Sequence, residues 1–455
     1  MATSSFGREH MDRAVEYVHS ESLDEIPDEV DEALRRRVLD QLAAVVAGHR
    51  VERMDVSTDY AAETYTAGES TILDGSGRER CLEGATLANG LAGNALDIDD
   101  GNRIAEGHPA ACVVPAALAA AEEQDATIRE LLDAVLAGYE VACRTALVLK
   151  EWTGMYNGSG SWGAVGAAAA IARLRGYDHE TTADALGIAE WNAPINPVMR
   201  SVARPGSAMT KDGIGWGGFV GATAANVARR GLNGSGMVFD DEEADPSPLD
   251  SLGEEYFLTE SYYKPYPGCR WVHSGVDAAF ELLDEHGIDA DDIEAVRAYT
   301  HWKAMELGTK RPANPDEAEY SYPYMLAVAI VKNDWLTPAD FDEAMRTDEG
   351  VLDLVDKITL HQDEEAQELY SEKSTSRIEI DADGETYTSE LTSPRGSRER
   401  PLTDDEYFKK QRVLIDDAEG EGSPSRCTTT STTTTGRSAT CSPTGGRNET
   451  HSSSR

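Results

Sequence analysis

The chain has 455 residues, more than one hydrophobic core usually needs, so we expect two domains. Its 83 aspartate and glutamate residues outnumber its 41 lysine and arginine residues, and the net charge of −42 is spread along the sequence. Nucleic acids and anionic membranes bind cationic surfaces, so this composition argues against both as partners. Low lysine with abundant alanine and glycine is typical of a cytoplasmic protein from a salt-adapted organism.

Cysteine usage and hydropathy point to the same compartment. Cys81, Cys112, Cys143 and Cys269 are scattered and form neither a CxxC motif nor a metal-ligand spacing. The first residues lack the apolar core of a signal peptide, and no run approaches 18 apolar residues. We therefore expect a reduced, cytoplasmic protein.

Apolar residues recur at helical spacing from about residue 10 to residue 260. Clear examples are segments 28–50, 109–124, 127–149 and 161–176. Small residues on several helix faces favour close packing, so residues 1–265 are predicted to form an all-helical domain. Residues 64–84 break this pattern with turn residues between short β-prone pieces and predict a small hairpin.

Helix and strand patterns alternate after about residue 268. Residues 276–289 predict a helix, residues 293–301 a strand, and Asp383-Gly384 the turn of a hairpin. Residues 266–399 are therefore predicted to form a smaller α+β domain. Residues 400–421, with Thr403 as the helix cap, are predicted to return to the helical domain.

Residues 422–455 differ in character from the rest of the chain. They are rich in serine, threonine and arginine and cannot bury enough apolar surface to fold. They are either a naturally disordered tail or, as we prefer, the product of a reading-frame shift near residues 411–424 that replaced an acidic helix.

Two lysines suggest a site for an anionic substrate. Lysine occurs only three times in the first 300 residues, and Lys211 and Lys264 are flanked there by glycine, proline and aromatic residues. The segment TKDGIGWGG around Lys211 does not match the phosphate-loop pattern, which gives nucleotide binding little support. In KPYPGCRWVH, two prolines predict an extended segment that presents Lys264, Arg270 and His273 to one pocket.

A second group of candidate residues lies in ALDIDDGNRIAEGHPAACVV. Asp97, Asp99 and Asp100 follow one predicted helix, and His108 precedes the next. Carboxylates and an imidazole at a helix N-terminus form an acid/base and anion-binding corner. The same pattern also fits a solvated helix end or a cation site, with His108 as a structural cap.

The order of several segments resembles the MmgE/PrpD family, which includes 2-methylcitrate dehydratase, cis-aconitate decarboxylase and iminodisuccinate epimerase. The resemblance covers about residues 10–412 and rests on GATLANGLAGNALDIDD, GHPAACVVPAALA, GSWGAVGAAAAIARLRGYD, MTKDGIGWGG, KPYPGCRWVHSGVDAA, YSYPYMLAVAI and SPRGSRERPLT. It implies a mainly α fold with a large all-helical domain and a smaller α+β lid. It also implies a homodimer whose site, between the domains, contains no metal and no cofactor.

The resemblance assigns site residues by motif: Asp97 as the active-site aspartate, His108 as the loop histidine, Lys211 and Lys264 as site lysines, and Tyr324 as a pocket tyrosine. Arg270 and His273 match the KPYPxCRxxH form of dehydratase-like members, whereas decarboxylase-like members have a histidine at the position of Cys269. Asn157 stands where many members have a histidine.

This resemblance implies a hydro-lyase that removes water from a 2-methylcitrate-like hydroxy di- or tricarboxylate. Lys211, Lys264 and Arg270 would anchor carboxylates, with Asn157 also facing the substrate. His108 is the candidate acid or base and Asp97 its partner. His273 or Tyr324 would assist the departure of water, and Lys264 could itself be the base if neighbouring cations lowered its pKa. Alternatives are an epimerase or decarboxylase using the same pocket, or a non-catalytic carboxylate-binding paralogue.

Overall fold

The computed structural model describes residues 8–52, 54–199, 213–370 and 372–416. Residues 1–418 form one compact unit, and the second unit, residues 419–455, lies outside the described residues. Lys211 and the predicted tail at residues 422–455 are therefore also outside them. The predicted domain boundaries at residues 265 and 399 stay predictions.

The first part of the chain is a bundle of helices with a small β-hairpin. The helices are α1 Glu9–Ser20, α2 Asp28–Gly48, α3 Met54–Thr64, α4 Leu82–Gly93, α5 Pro109–Glu123, α6 Ile128–Thr153, α7 Gly160–Leu174, α8 His179–Asn192 and α9 Ile214–Ala228. Strands β1 Ser70–Thr71 and β2 Glu79–Arg80 pair antiparallel and confirm the predicted hairpin.

Small residues allow the helices of the bundle to approach closely. Helix α7 is buried along nearly its whole length and contacts α5, α6, α8 and α9. Where α6 crosses α7, a Cβ atom added to Gly138 would lie 2.5 Å from the carbonyl oxygen of Gly166. The predicted close packing of alanine- and glycine-rich helices is thus confirmed.

A two-stranded ribbon pairs β3 Gly101–Asn102 with β4 Ser261–Tyr262. The second part of the chain contains a four-stranded sheet packed against helices, with strands β5 Ile293–Thr300, β6 Ile358–Gln362, β7 Ser376–Ala382 and β8 Glu385–Thr388. Their order is β6-β5-β7-β8, and β5 is parallel to β6 and antiparallel to β7. The helices are α10 Arg270–His286, α11 Trp302–Met305, α12 Pro315–Glu319, α13 Tyr322–Lys332, α14 Glu343–Arg346, α15 Glu349–Lys357 and α16 Glu364–Leu369. The expected combination of a large helical domain and a smaller α+β domain is confirmed.

Of two predictions for the α+β part, the structure confirms one and contradicts the other. The predicted strand and the turn at Asp383-Gly384 are confirmed, and both turn residues have the positive φ that a two-residue hairpin favours. The prediction that the whole KPYPGCRWVH segment is extended was wrong. Pro265 and Pro267 prevent helix formation only as far as Gly268, so α10 already begins at Arg270.

Helix α17 Asp404–Asp416 returns to the helical bundle and packs against α2. The predicted cap is present: Glu406 N donates to Thr403 Oγ1 over 3.2 Å, and Thr403 N donates to the Glu406 carboxylate over 2.8 Å. Its fully buried Lys410 donates to the Ile98 carbonyl and lies 2.6 Å from the buried carboxylate of Asp40. This helix thereby fixes the loop that follows α4. Within the described ranges, no helix has the length and apolarity needed to cross a membrane.

We predict that Lys410→Met lowers the free energy of unfolding by about 3–5 kcal/mol, because Asp40 is left buried without its nearest cation. Lys409→Met is the matched control, since Lys409 is exposed and lies 3.6 Å from Asp334. Denaturant unfolding should show little change for the control and partial recovery when Asp40→Asn is added to Lys410→Met. Equal losses at the two lysines would contradict the burial argument.

Candidate active site

One pocket brings together several of the residues singled out in the sequence. Asp97, His108, Lys264 and Arg270 line it. The remaining lining residues are Tyr156, Val198, Tyr262, Cys269, Trp271 and Tyr320. The pocket is thus built from the loop between α4 and α5, the segments that follow α6, α8 and α12, the segment around β4 and the start of α10.

The α4–α5 loop holds Asp97 in an unusual backbone conformation. Asp97 has a φ of 46°, in the left-handed region that side chains other than glycine rarely adopt. Its amide donates to the Asn94 carbonyl over 3.0 Å, and Lys264 Nζ donates to its carbonyl over 2.8 Å. Such strain persists where surrounding contacts compensate for it, and it often marks a functional position.

The β3–β4 ribbon brings this loop against the segment that carries Lys264. Gly101 pairs with Tyr262, and a Cβ atom at Gly101 would lie 2.0 Å from the tyrosine ring. The ring in turn lies 3.7 Å from the guanidinium carbon of Arg270. Gly101 is therefore required for the position of the Tyr262 ring and, through it, of Arg270.

Lys264 and Asp97 form a buried ion pair. Lys264 is 1% exposed, and its ammonium donates to Asp97 Oδ1 over 2.5 Å. Burial opposes the charge on Lys264, but Asp97 and Asp99 outweigh it and raise the pKa of the lysine above its ordinary value. Lys264 therefore does not meet the condition under which it could be the base, a pKa lowered by neighbouring cations, because carboxylates rather than cations dominate its surroundings.

His108 is oriented by two oxygens. Its Nδ1 lies 2.6 Å from the Asp100 carbonyl oxygen and 3.0 Å from Asp99 Oδ2. A carbonyl can only accept, so Nδ1 carries a proton and Nε2, 3.7 Å from Asp97 Oδ1, is the nitrogen that titrates. Burial lowers the pKa of His108, but Asp99 reverses this effect and raises it to about 9. The imidazole is therefore a cation at neutral pH.

Asp99 and Asp100 are buried carboxylates that hold His108 and the α4–α5 loop in position. The His108 imidazole overcomes the burial of Asp99 and lowers the pKa of that carboxyl to about 2. Asp100 accepts from Tyr139 over 3.0 Å and from the Ala110 amide over 3.1 Å, and burial raises its pKa to about 6. Both carboxylates are thus ionised at neutral pH, and the loop is anchored to α5 and α6.

Arg270 contributes a cation whose main contact is the face of the Tyr262 ring. It begins α10, stacks on Tyr262, and has a weak hydrogen bond of 3.5 Å to the Tyr263 carbonyl. Burial lowers its pKa to about 10, so it remains charged at neutral pH.

Three expected site residues do not line the pocket. Tyr324 is a correction: its hydroxyl donates to the Asp340 carbonyl over 2.6 Å, and Tyr320 lines the pocket instead. His273 lies in the first turns of α10, fully buried against Tyr266, and burial lowers its pKa well below the ordinary value. Asn157 is also buried, and its side-chain amide donates to Thr153 Oγ1 over 3.0 Å. Lys211 lies outside the described residues.

Sequence reasoning missed the aromatic walls of the pocket. Tyr156 and Tyr262 lie outside the segments that carry the family resemblance, and Trp271 and Tyr320 lie inside two of them, KPYPGCRWVHSGVDAA and YSYPYMLAVAI, without an assigned role. Their convergence depends on long-range packing, and the one local signal was the density of aromatic residues around Lys264.

Asp97, Asp99 and His108 also offer ligand atoms within 4.8 Å of one another, a spacing that a metal ion could use. Each carboxylate already faces a cation, since Lys264 contacts Asp97 and His108 contacts Asp99. The negative charge that would attract a metal is therefore balanced by the chain's own side chains.

In a comparison with known proteins, two domain models of one family match the two parts of the chain. Residues 12–244 match the model of the MmgE/PrpD N-terminal domain, and residues 266–426 match that of the MmgE/PrpD C-terminal domain. The cis-aconitate decarboxylase-like protein oryM of Aspergillus oryzae (strain ATCC 42149 / RIB 40) is 25% identical over 437 residues. That similarity covers 86% of this chain and 87% of the relative.

We predict that the pKa of His108 is near 9 and falls in Asp99→Asn, because burial and Lys264 both disfavour the imidazolium once Asp99 is neutral. Titration of labelled histidine by NMR measures this value directly. An unchanged pKa in Asp99→Asn would show that another group sustains the charge.

We predict that Gly101→Ala displaces Tyr262 and destabilises the protein by about 1–3 kcal/mol through overpacking. Gly236→Ala is the matched control, because a Cβ atom there meets nothing within 4 Å. Denaturant unfolding compares the two, and equal stability would contradict the close contact at Gly101.

Proposed function

Because the chain belongs to the MmgE/PrpD family, we propose that it is a hydro-lyase acting on a 2-methylcitrate-like hydroxy di- or tricarboxylate. The reaction removes a proton from a carbon next to a carboxylate and releases the neighbouring hydroxyl group as water. We further propose, from the family resemblance and the acidic composition, a cytoplasmic homodimer from a salt-adapted organism.

The observation that carries this proposal is the charge of the pocket. Among its described lining residues, the three cationic groups of Lys264, Arg270 and His108 face one carboxylate, Asp97. In a chain with a net charge of −42, such a local surplus of cations arises only where the fold brings cationic side chains together against the surrounding negative charge. Fixed cations bind substrate carboxylates and stabilise the negative charge that develops when the neighbouring carbon loses its proton.

We propose one division of the proton transfers, which the positive charge of His108 supports. Asp97 accepts the proton from carbon, and His108 Nε2 donates a proton to the departing hydroxyl, so that the C–O bond breaks, a C=C bond forms and water leaves. Asp97 is then protonated and His108 neutral. Their separation of 3.7 Å allows the proton to return from Asp97 to His108 after a small movement. Since His108 must be charged, activity is present below pH about 9 and is lost as the pH rises through that value.

A decarboxylase is the second candidate, favoured by the similarity to the cis-aconitate decarboxylase-like protein of Aspergillus oryzae. In that reaction the same cations would stabilise the carbanion left by carbon dioxide, and His108 would protonate it. Cys269 argues against a decarboxylase, because the family resemblance places a histidine at this position in decarboxylase-like members. The buried thiol lies at the pocket wall, where it offers no comparable proton donor.

We predict that NMR in D2O and high-potassium buffer detects an olefinic product from 2-methylcitrate or citrate. Deuterium exchange without elimination would indicate an epimerase, and loss of carbon dioxide from cis-aconitate would indicate a decarboxylase. No reaction with any of these acids or with aspartate-derived dicarboxylates would favour the carboxylate-binding paralogue.

Substitutions at the site serve as controls for this assay. Lys211→Ala and Lys264→Ala should abolish turnover, and near-normal activity of both would refute the pocket assignment. Lys264→Ala also leaves Asp97 buried and unpaired, so circular dichroism must show that the variant is folded. Asn157→His should give little gain, because Asn157 does not line the pocket; a large gain would indicate a decayed site.

A further inference from the structure

Lys303 lies beside the pocket within a group of aromatic rings. It belongs to α11, directly after strand β5. Its ammonium is 4.8 Å from the ring centre of Tyr156, 5.0 Å from Tyr370, 5.9 Å from Trp271 and 6.0 Å from Trp302. Tyr156 and Trp271 also line the pocket, so the cation lies next to two of its walls.

The electrostatic surroundings of Lys303 leave its charge available to a ligand. Within the described part of the chain, no carboxylate lies within the 4.0 Å limit of an ion pair with it. The carboxylate that acts on it from further away is Glu106, which is already bound by Lys150 at 2.6 Å. In a chain with 83 acidic residues, a half-buried lysine held by ring faces instead of carboxylates is unusual.

The position of Lys303 relative to the other cations suggests which part of a substrate it meets. Lys264 and His108 lie deep in the pocket beside Asp97, where the proposed proton transfers occur. Lys303 contacts Tyr156 and Trp271, two of the rings that line the pocket, and comes from the α+β part of the chain. A substrate that extends from the reacting carbons past these rings would place its outermost group beside Lys303.

We propose that Lys303 binds the outermost carboxylate of the substrate and makes the pocket selective for tricarboxylates over dicarboxylates. This inference rests on the proposed function, since it takes the acid/base corner as the reacting end. The competing explanation is that Lys303 joins Tyr156 of the helical part to the rings of the α+β part. A structural role of that kind would affect every ligand equally.

The test uses two ligands that cannot react, tricarballylate and methylsuccinate, which differ by one terminal carboxylate. Calorimetric titration of the wild-type protein should show tighter binding of tricarballylate. Lys303→Met, which keeps the apolar stem, should weaken tricarballylate by on the order of 10- to 100-fold, as expected for a lost charge-assisted contact, and methylsuccinate by less than about 3-fold. Lys303→Arg should retain most of the preference.

Lys310→Met is the matched control, because it removes the same charge from a lysine that donates to the Asp356 carbonyl at an exposed position. It should leave both affinities nearly unchanged. Equal losses of both ligands in Lys303→Met, or no loss of either, would overturn the proposal, as would a wild-type protein that binds neither ligand or does not prefer tricarballylate.

A second measurement needs no variant. Burial and Lys150 lower the pKa of Lys303, which makes it reactive towards an acetylating reagent. Mass spectrometry should show that tricarballylate protects Lys303 and methylsuccinate does not, whereas Lys310 reacts equally throughout. Lack of protection would overturn the proposal. Since neither ligand is turned over, selective binding without any dehydratase activity would refute the proposed function alone.

Discussion

The site depends on buried charges of alternating sign. Four carboxylates and four cations lie next to one another beneath and beside the pocket, and each is unfavourable unless its partner is in place. The neighbouring pairs are Asp97 with Lys264, Asp99 with His108, Asp100 with Arg37, and Asp40 with Lys410. Arg37 also lies 3.7 Å from Asp40, which joins the last two pairs. The α4–α5 loop, which contains His108, is therefore held by charges that come from α2, α17 and the segment after β4.

This network places the end of the described chain in contact with the site. Lys410 donates to the carbonyl of Ile98, one residue after Asp97, and Gln411 donates to Asp40 over 2.7 Å. Leu414 is fully buried against α2. Residues as far along the chain as Leu414 thus make buried contacts with the helical bundle. The origin of residues 422–455 stays a prediction.

Local patterns predicted much of the fold, and motif order predicted part of the site. Helical spacing, the hairpin turn at Asp383-Gly384 and the Thr403 cap depend on neighbours in sequence, and the structure has all three. Lys409 and Lys410 show where this reasoning ends: they are adjacent in one helix, yet one is exposed and the other fully buried beside Asp40. Tyr320 and Tyr324 show the same limit, since one turn of chain separates a pocket wall from a residue bonded to Asp340.

The cations in and beside the pocket fall into two kinds, which differ in what surrounds their charge. Lys264 and His108 are balanced by buried carboxylates, which keep them charged and fix their positions. Arg270 and Lys303 are held chiefly by aromatic rings, which support a cation without cancelling its charge. Aromatic walls therefore do more than exclude water. They allow the pocket to keep a positive surplus that carboxylate partners would have removed.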